Sequence, residues 1–108
     1  MPADSPLVEP HALESQVRAI VTEVLVAPVD RVTLDSLLVP DLGAESIDFL
    51  DLIFHLEDLL GRRIPSSRWQ QYVQERFGDA DPQQVLTVRV FLEFAEREAM
   101  RREPELQS

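Results

Sequence analysis

Apolar side chains recur at helical spacing in four segments of this chain, and turn-forming residues separate the segments. The first predicted helix runs from about His11 to Leu25, and Pro28 follows its end. Its predicted buried face holds Leu13, Val17, Ile20, Val21 and Val24. The connection over residues 26–45 is longer than most loops in small domains. We expect four leucines to anchor this connection to the core: Leu34, Leu37, Leu38 and Leu42.

The second predicted helix, Ser46 to Leu60, has two apolar faces and ends at Gly61, a favourable residue after a helix. At about 100° per residue, the wider face suits the core; it holds Phe49, Leu52, Ile53, Leu56, Leu59 and Leu60. The other face interleaves apolar and acidic residues: Ile47, Leu50, Asp51, Phe54 and Asp58. Because unpaired buried carboxylates are costly, we expect this second face to meet solvent or a partner. The alternative is that at least two of its apolar residues pack beneath the preceding loop.

Two further helices complete the predicted fold. Ser66 or Ser67 is the predicted cap of a third helix that ends at Gly78; this helix carries Trp69, Tyr72, Val73 and Phe77. A connector over residues 79–86 leads to a fourth helix capped by Thr87; its buried face holds Val88, Phe91, Leu92 and Ala95. No segment has a convincing strand pattern, so the predicted fold class is all-α, a four-helix bundle with a long first loop and an extended third-helix region. We expect one domain over residues 11–101, with loose tails at 1–10 and 102–108.

The chain is strongly acidic, with a formal net charge of −10. Residues 30–58 contain eight acids and one arginine. This balance disfavours binding to nucleic acid and to anionic membrane surfaces, and it favours partners with basic patches. We expect no membrane insertion, since no apolar run approaches about 20 residues, and a cytoplasmic protein, since no signal-peptide pattern is evident. The sequence contains no cysteine, so any thiol chemistry requires a cofactor.

One serine stands at the predicted start of helix two, directly after a turn that contains glycine, in the motif Asp41-Leu42-Gly43-Ala44-Glu45-Ser46-Ile47-Asp48. Taken alone, Ser46 is typical of a helix N-cap, a role worth about 1 kcal/mol. The long loop, the flanking acids and the two-faced helix occur together with it, however. The composite resembles the phosphopantetheine attachment site of acyl carrier proteins. The usual Asp-Ser-Leu of that family reads Glu45-Ser46-Ile47 here.

The resemblance extends from about Leu13 to Met100 and implies a carrier protein, not an enzyme. A separate phosphopantetheinyl transferase would attach 4'-phosphopantetheine from coenzyme A covalently to Ser46, and the thiol of that arm would hold acyl groups as thioesters. Gly43 would permit a tight bend and close approach of the transferase. The implied docking surface consists of Glu45, Ile47, Asp48, Leu50, Asp51, Phe54 and Asp58. The implied partners are the transferase, ketosynthases, acyltransferases and other lipid-synthesis enzymes with basic docking patches, and we expect a monomer.

The third-helix region departs from ordinary acyl carrier proteins, because Ile64-Pro65 and Thr87-Val88 stand farther apart than usual. The insert brings Trp69, Tyr72 and Phe77. With Phe49-Leu50-Asp51, this departure resembles the free-standing carriers of alpha-proteobacteria that load very long hydroxylated acyl chains onto lipid A. The aromatic residues could widen an acyl cavity, form a platform for one acyltransferase, or fill the core. Alternatives to a role in fatty-acid or specialised lipid synthesis are a carrier for polyketide or peptide synthesis and an unmodified interaction module.

Asp48, Asp51 and His55 fall on one predicted face of helix two, where two carboxylates and an imidazole could bind a divalent ion. Such a trio is more often solvated, with Asp51 and His55 paired at i, i+4. We therefore expect no metal site.

Overall fold

Four long helices carry the fold, at nearly the positions that the apolar pattern predicts. The computed structural model describes residues 10–101, with side chains from Ala12. The helices are α1 (Pro10–Leu25), α2 (Ser46–Leu60), α3 (Ser66–Phe77), a one-turn α4 (Pro82–Val85) and α5 (Val88–Ala99), with a 3₁₀ turn at Val29–Arg31. The all-α prediction is confirmed, since residues 10–101 contain no strand and one isolated bridge, between Leu37 and Thr87. The tails predicted at 1–10 and 102–108 lie outside the described residues, apart from Pro10, where α1 begins.

The core forms where the apolar faces of α1, α2 and α5 meet. The predicted stripes are buried at Val17, Ile20, Val21, Leu52, Ile53, Leu56, Val88, Phe91, Leu92 and Ala95. On α5, Val90 and Phe94 are also buried. The remaining stripe residues of α1 and α2 are partly buried and pack against this core at its edges: Leu13, Val24, Phe49, Leu59 and Leu60. The wide face of α2 therefore points inward, and its second face is left outside.

Trp69 of α3 lies at the centre of an aromatic cluster that joins three helices. Its ring stacks on Phe49 of α2 with a centroid distance of 6.1 Å and on Tyr72 with a centroid distance of 6.2 Å. It meets Phe94 and Phe91 of α5 edge-on, at 5.2 Å and 5.9 Å. Edge-to-face and offset-stacked pairs add stability beyond their burial. The predicted insert is thus part of the core, with Trp69 and Tyr72 buried and Val73 and Phe77 partly buried against it.

The long loop between α1 and α2 is fixed by backbone pairing as well as by apolar anchors. The Leu38 amide donates to the carbonyl of Leu86 (2.9 Å), the Val88 amide to Ser36 (3.0 Å), and the Arg89 amide to Leu34 (2.9 Å). Of the four predicted anchors, Leu38 and Leu42 are buried, whereas Leu34 and Leu37 are partly exposed. The segment that leads to Ser46 is therefore tied to the start of α5.

The helix ends test the predicted caps individually. Thr87 caps α5 as predicted, because its Oγ1 accepts from the Val90 amide at 3.2 Å. Gly61 follows α2 with φ of 69°, as a residue in the left-handed region. The prediction for Ser66 and Ser67 is wrong: α3 begins at Ser66 directly after Pro65, and no side chain caps it. A proline before the first turn sets the entry angle without a hydroxyl acceptor, so both serines lie inside the helix.

Candidate prosthetic-group attachment site

Ser46 is the first residue of α2, and its side chain is exposed. Glu45 takes the N-cap position with extended backbone angles, φ −111° and ψ 171°. Its amide donates to Oδ2 of Asp48 at 2.8 Å, and the Asp48 amide donates to the carbonyl of Glu45 at 2.9 Å. The alternative that Ser46 itself is the N-cap is therefore wrong. Since Glu45 and Asp48 close the helix end, the Ser46 hydroxyl is left for another role.

The turn before Ser46 gives Gly43 a left-handed backbone, with φ of 77°. The Gly43 amide donates to the carbonyl of Val39, and the Ala44 amide to that of Leu38, both at 2.9 Å. No heavy atom would lie within 4 Å of a Cβ added at Gly43. Glycine is therefore favoured at this position by its backbone angle, as the predicted tight bend requires.

A cavity of about 650 Å³ lies beside Ser46, between the start of α2, α3 and the connector that contains α4. Its apolar lining includes Val39, Ala44, Phe49, Trp69, Val73 and Leu86, and its polar lining includes Glu45, Ser46, Gln70, Gln74 and Gln83. The volume falls in the range of small-molecule sites, which is about 300–1,000 Å³. Trp69 and Val73 thus serve both the core and the cavity wall, whereas Tyr72 and Phe77 do not line the cavity.

The second face of α2 is exposed, as the alternation of apolar and acidic residues predicts. Ile47, Leu50 and Phe54 are 63%, 51% and 64% exposed. The alternative in which at least two of them pack beneath the loop is therefore wrong. Among the acids of the predicted docking surface, Glu45, Asp51 and Asp58 are exposed and Asp48 is partly buried. The structure brings the predicted docking residues together on one side of α2, continuous with Ser46.

The three residues considered for a metal are engaged separately. Asp48 accepts from the Glu45 amide. The Nδ1 atom of His55 lies 2.9 Å from the backbone carbonyl oxygen of Asp51, and its Nε2 atom lies 3.8 Å from Oε2 of Glu23. The predicted side-chain pair of Asp51 and His55 is thus replaced by a contact to α1. Among the residues that the structure describes, no cluster of three histidine, cysteine or acidic side chains could hold an ion.

Comparison with known proteins shows which family this chain is similar to. Residues 15–74, from α1 into α3, match the family described as "Phosphopantetheine attachment site". An acyl carrier protein of Helicobacter acinonychis is 39% identical over 62 residues, which are 57% of this chain and 80% of that protein. Acyl carrier protein AcpXL of Mesorhizobium japonicum is 30% identical over 66 residues, which are 61% of this chain and 71% of its own length. The chain belongs to the acyl carrier protein family.

A second protein with the name AcpXL, from Brucella melitensis, is 37% identical over 60 residues. That alignment covers 56% of the present acyl carrier protein and 64% of the length of the Brucella protein. Membership of the family makes the chain a carrier and not a catalyst, and its prosthetic group is covalently attached 4'-phosphopantetheine. The described residues fit that group, because an exposed serine hydroxyl opens α2 next to an apolar cavity. None of the described helices is both long enough and apolar enough to cross a bilayer.

Proposed function

We propose that Ser46 is the residue that carries the 4'-phosphopantetheine group. The observation that supports this most directly is the position of its exposed hydroxyl at the first turn of α2, within the matched residues 15–74. No capping role occupies Ser46, because Glu45 and Asp48 perform it. When bound, the group supplies a thiol that can hold an acyl chain as a thioester, which a chain without cysteine otherwise lacks.

The start of α2 is suited to an anionic phosphodiester. Amide groups at a helix N-terminus and the helix dipole favour a negative charge, by about 0.3–1 kcal/mol at an exposed position. The carboxylates of Glu45 and Asp48 oppose this effect. The Asp48 carboxylate has a structural use, however, because it accepts a hydrogen bond from the Glu45 amide. The flanking acids therefore have a second proposed role, which is to attract basic partners.

The exposed face of α2 is the proposed docking surface for the transferase, ketosynthases and acyltransferases. Its apolar members Ile47, Leu50 and Phe54 would supply contact area, and its acids Glu45, Asp48, Asp51 and Asp58 would steer partners with basic patches. These encounters would occur in the cytoplasm, with the carrier as a monomer. Residues 11–101 would act as the carrier domain.

The acyl chain would enter the cavity beside Ser46. Each buried methylene is worth about 0.8 kcal/mol, so a large apolar cavity favours long chains. The α3 insert supplies Trp69 and Val73 to its wall. We therefore propose a role in lipid synthesis, specifically in handling the very long acyl chains of lipid A. Similarity to proteins named AcpXL, alongside ordinary acyl carrier proteins, supports a specialised member of the family.

Mass spectrometry after incubation with coenzyme A and a broad-specificity phosphopantetheinyl transferase tests the attachment residue. The wild-type chain should gain the mass of one phosphopantetheine group, and Ser46→Ala should gain none. Ser66→Ala is a matched control, because Ser66 is also an exposed first residue of a helix; it should be modified like wild type. Failure of the folded wild-type chain to gain mass with several transferases would favour the unmodified interaction module.

Trp69 is the single tryptophan of the chain and lines the cavity, so its fluorescence can test the acyl site. Holo protein loaded with a very long acyl chain should show a blue-shifted and less quenchable emission than protein loaded with an acetyl group. Emission that is the same for both loads would contradict binding of the chain in this cavity. A strong preference for polyketide or aminoacyl loads over long acyl chains would instead support the alternative carrier role.

A further inference from the structure

Two adjacent rows of side chains from α3 line the cavity beside Ser46. Trp69 and Val73 form an apolar row, and Gln70 and Gln74 form an amide row. The members of each row are four residues apart, so their Cβ atoms lie about 5–6 Å from each other on one helix face. The cavity therefore has an apolar strip and, beside it, a strip of neutral hydrogen-bonding groups.

The side chains of the amide row have no hydrogen-bond partner in the part of the chain that the structure describes. Both glutamines are exposed, and the amide of Gln83 from α4 also lines the cavity. Among the described residues of the lining, Glu45 is the only charged one, although 28% of the residues of the chain are charged. A wall that is polar but almost uncharged suits a neutral ligand that can both donate and accept hydrogen bonds.

An acyl chain alone is a poor match for the amide row. A hydrocarbon that lay over Gln70 and Gln74 would displace water from their amides and return no hydrogen bond, which is unfavourable. The apolar row and Leu86 suit the hydrocarbon instead. The amide row consequently suits a ligand segment that itself contains amides or hydroxyls.

The 4'-phosphopantetheine group contains such a segment, because two amides separated by two methylenes lie between its phosphate and its thiol. With standard bond lengths, the carbonyl carbons of these two amides are about 5 Å apart when the segment is extended. Side chains one helical turn apart have nearly the same spacing, about 5–6 Å. Each glutamine can donate to a carbonyl and accept from an N–H, so two glutamines in one row can pair with both amides.

We propose that Gln70 and Gln74 bind the two amide groups of the 4'-phosphopantetheine arm, so that the arm lies along α3. This inference rests on the proposed attachment at Ser46, because it concerns the group attached there. The amide row then holds the arm, and the apolar row is left to the acyl chain. Gln70 and Gln74 are thus positioning residues, which set where the thiol lies relative to the apolar wall.

The side-chain amide resonances of the glutamines test this proposal directly on the ¹⁵N-labelled full chain. Attachment of the arm without an acyl load should shift the NH₂ resonances of Gln70 and Gln74 and give nuclear Overhauser contacts from them to the methylenes of the arm. Gln71 and Gln84 are matched controls, since both are exposed neighbours that do not line the cavity; their resonances should stay unchanged. Equal shifts at all four glutamines, or none, would overturn the proposal.

The reactivity of the arm gives a second readout, because the chain contains no cysteine and the arm supplies the single thiol of the holo protein. The double substitution Gln70→Met and Gln74→Met should speed alkylation of this thiol by iodoacetamide about two- to tenfold, as the loss of one or two hydrogen bonds predicts. Methionine resembles glutamine in length and helix propensity but has no amide.

The double substitution Gln71→Met and Gln84→Met is the control for this experiment and should react like wild type. Circular dichroism of both double variants checks that they are folded. An alkylation rate that is the same for the two double variants would count against arm binding by the amide row.

A hydroxyl on the acyl chain is the other source of the same chemistry, and the load on the arm separates the two. Arm binding predicts that the shifts of Gln70 and Gln74 are already present in the unloaded holo protein. Shifts that appear only with a hydroxylated acyl chain, and not with an unsubstituted chain of equal length, would assign the amides to the load. That result would overturn the proposal.

Failure of this inference can be told apart from failure of the proposed function. If the transferase adds one phosphopantetheine group to Ser46 but the resonances of Gln70 and Gln74 do not respond, the carrier role stands and only the arm site is wrong. If Ser46 is never modified, the carrier role fails and the arm site fails with it.

Discussion

The Nε atom of Arg68, near the start of α3, lies 3.2 Å from Oε2 of Glu98, near the end of α5. The Glu98 side chain is only 1% exposed, and the Nε atom of Arg101 lies 3.9 Å from the same oxygen. Arg62 adds hydrogen bonds of 2.8 Å to the backbone carbonyls of Glu98 and Arg101. An isolated buried carboxylate would be strongly unfavourable. The surrounding arginines therefore make Glu98 a junction between α5 and the α2–α3 turn.

Replacing Glu98 by alanine should lower the free energy of unfolding by about 3 kcal/mol, because it leaves the neighbouring guanidinium groups without their buried counter-charge. Urea denaturation followed by circular dichroism measures the change. Glu75→Ala is the control, since Glu75 is exposed and lies 4.0 Å from Arg97; its effect should stay within about 0.5 kcal/mol. Equal effects of the two substitutions would show that the junction contributes no more than a surface pair.

Thr87→Ala should destabilise the protein by about 1 kcal/mol, because it removes the acceptor for the Val90 amide at the start of α5. Ser66→Ala should change stability by less than about 0.5 kcal/mol, since α3 has no side-chain cap. Thermal unfolding of both variants compares the two helix starts directly. A larger loss for Ser66→Ala than for Thr87→Ala would contradict the assignment of caps.

Phe54 and Leu56 are two residues apart on α2 but face opposite environments, with exposures of 64% and 0%. Leu56→Ala should cost about 2–5 kcal/mol, as for other buried leucines. Phe54→Ala should change stability by less than about 1 kcal/mol, yet slow modification by the transferase if Phe54 contacts partners. Denaturation and mass-spectrometric time courses separate the two effects. A Phe54→Ala variant that is unstable but modified normally would remove Phe54 from the docking surface.

Gly43→Ala should destabilise the protein by about 1–2 kcal/mol, because a Cβ disfavours the left-handed backbone observed at φ of 77°. Gly43→Asn should cost less, since asparagine tolerates that region better. No heavy atom lies within 4 Å of a Cβ added at Gly43, so the loss in Gly43→Ala is not due to a clash. Chemical denaturation of the two variants provides the measurement, and equal losses would argue against backbone strain as the cause.

Arg76 links α3 to α5, and its pKa is raised first by a hydrogen bond to Glu93 and then by one to the Tyr72 hydroxyl. Because the pKa is raised in the folded state, the contribution of Arg76 to stability is fully present below the ordinary arginine pKa. This contribution is lost only as the pH rises through the higher pKa of the folded state. The destabilisation caused by Arg76→Gln should therefore be the same at about pH 6 and about pH 9. Because Arg76 is 39% exposed, we expect the destabilisation caused by Arg76→Gln to be below about 1 kcal/mol. Parallel urea titrations at the two pH values would reveal any change.

Helical periodicity was sufficient to predict the four long helices and the outward face of α2. Those features arise from the periodic alternation of apolar and polar residues, which is visible within a single segment of the sequence. The left-handed Gly61 and the cap at Thr87 were predictable for the same local reason. The one-turn α4 was missed, because four residues are too few to show a period.

The wrong predictions involve choices between local partners or contacts across the fold. Ser46 was a reasonable N-cap candidate, but Glu45 and Asp48 satisfy the helix start instead. His55 was expected to pair with Asp51, yet its ring lies near Glu23 of α1, whose proximity depends on helix packing. The burial of Glu98 was not predictable from the sequence either. A charged residue at a buried helical position is recognised only when its partners from other segments are known.

The loop before Ser46 is held in place by residues 86–89, which lie about fifty positions later in the chain. During translation, the amide and carbonyl groups of residues 34–38 cannot form these hydrogen bonds until residues 86–89 have left the ribosome. Contacts of such high sequence separation form slowly compared with local helices. In a nascent or truncated polypeptide, we therefore expect the backbone around Ser46 to lack its final conformation. Transfer of the prosthetic group should then follow completion of the chain.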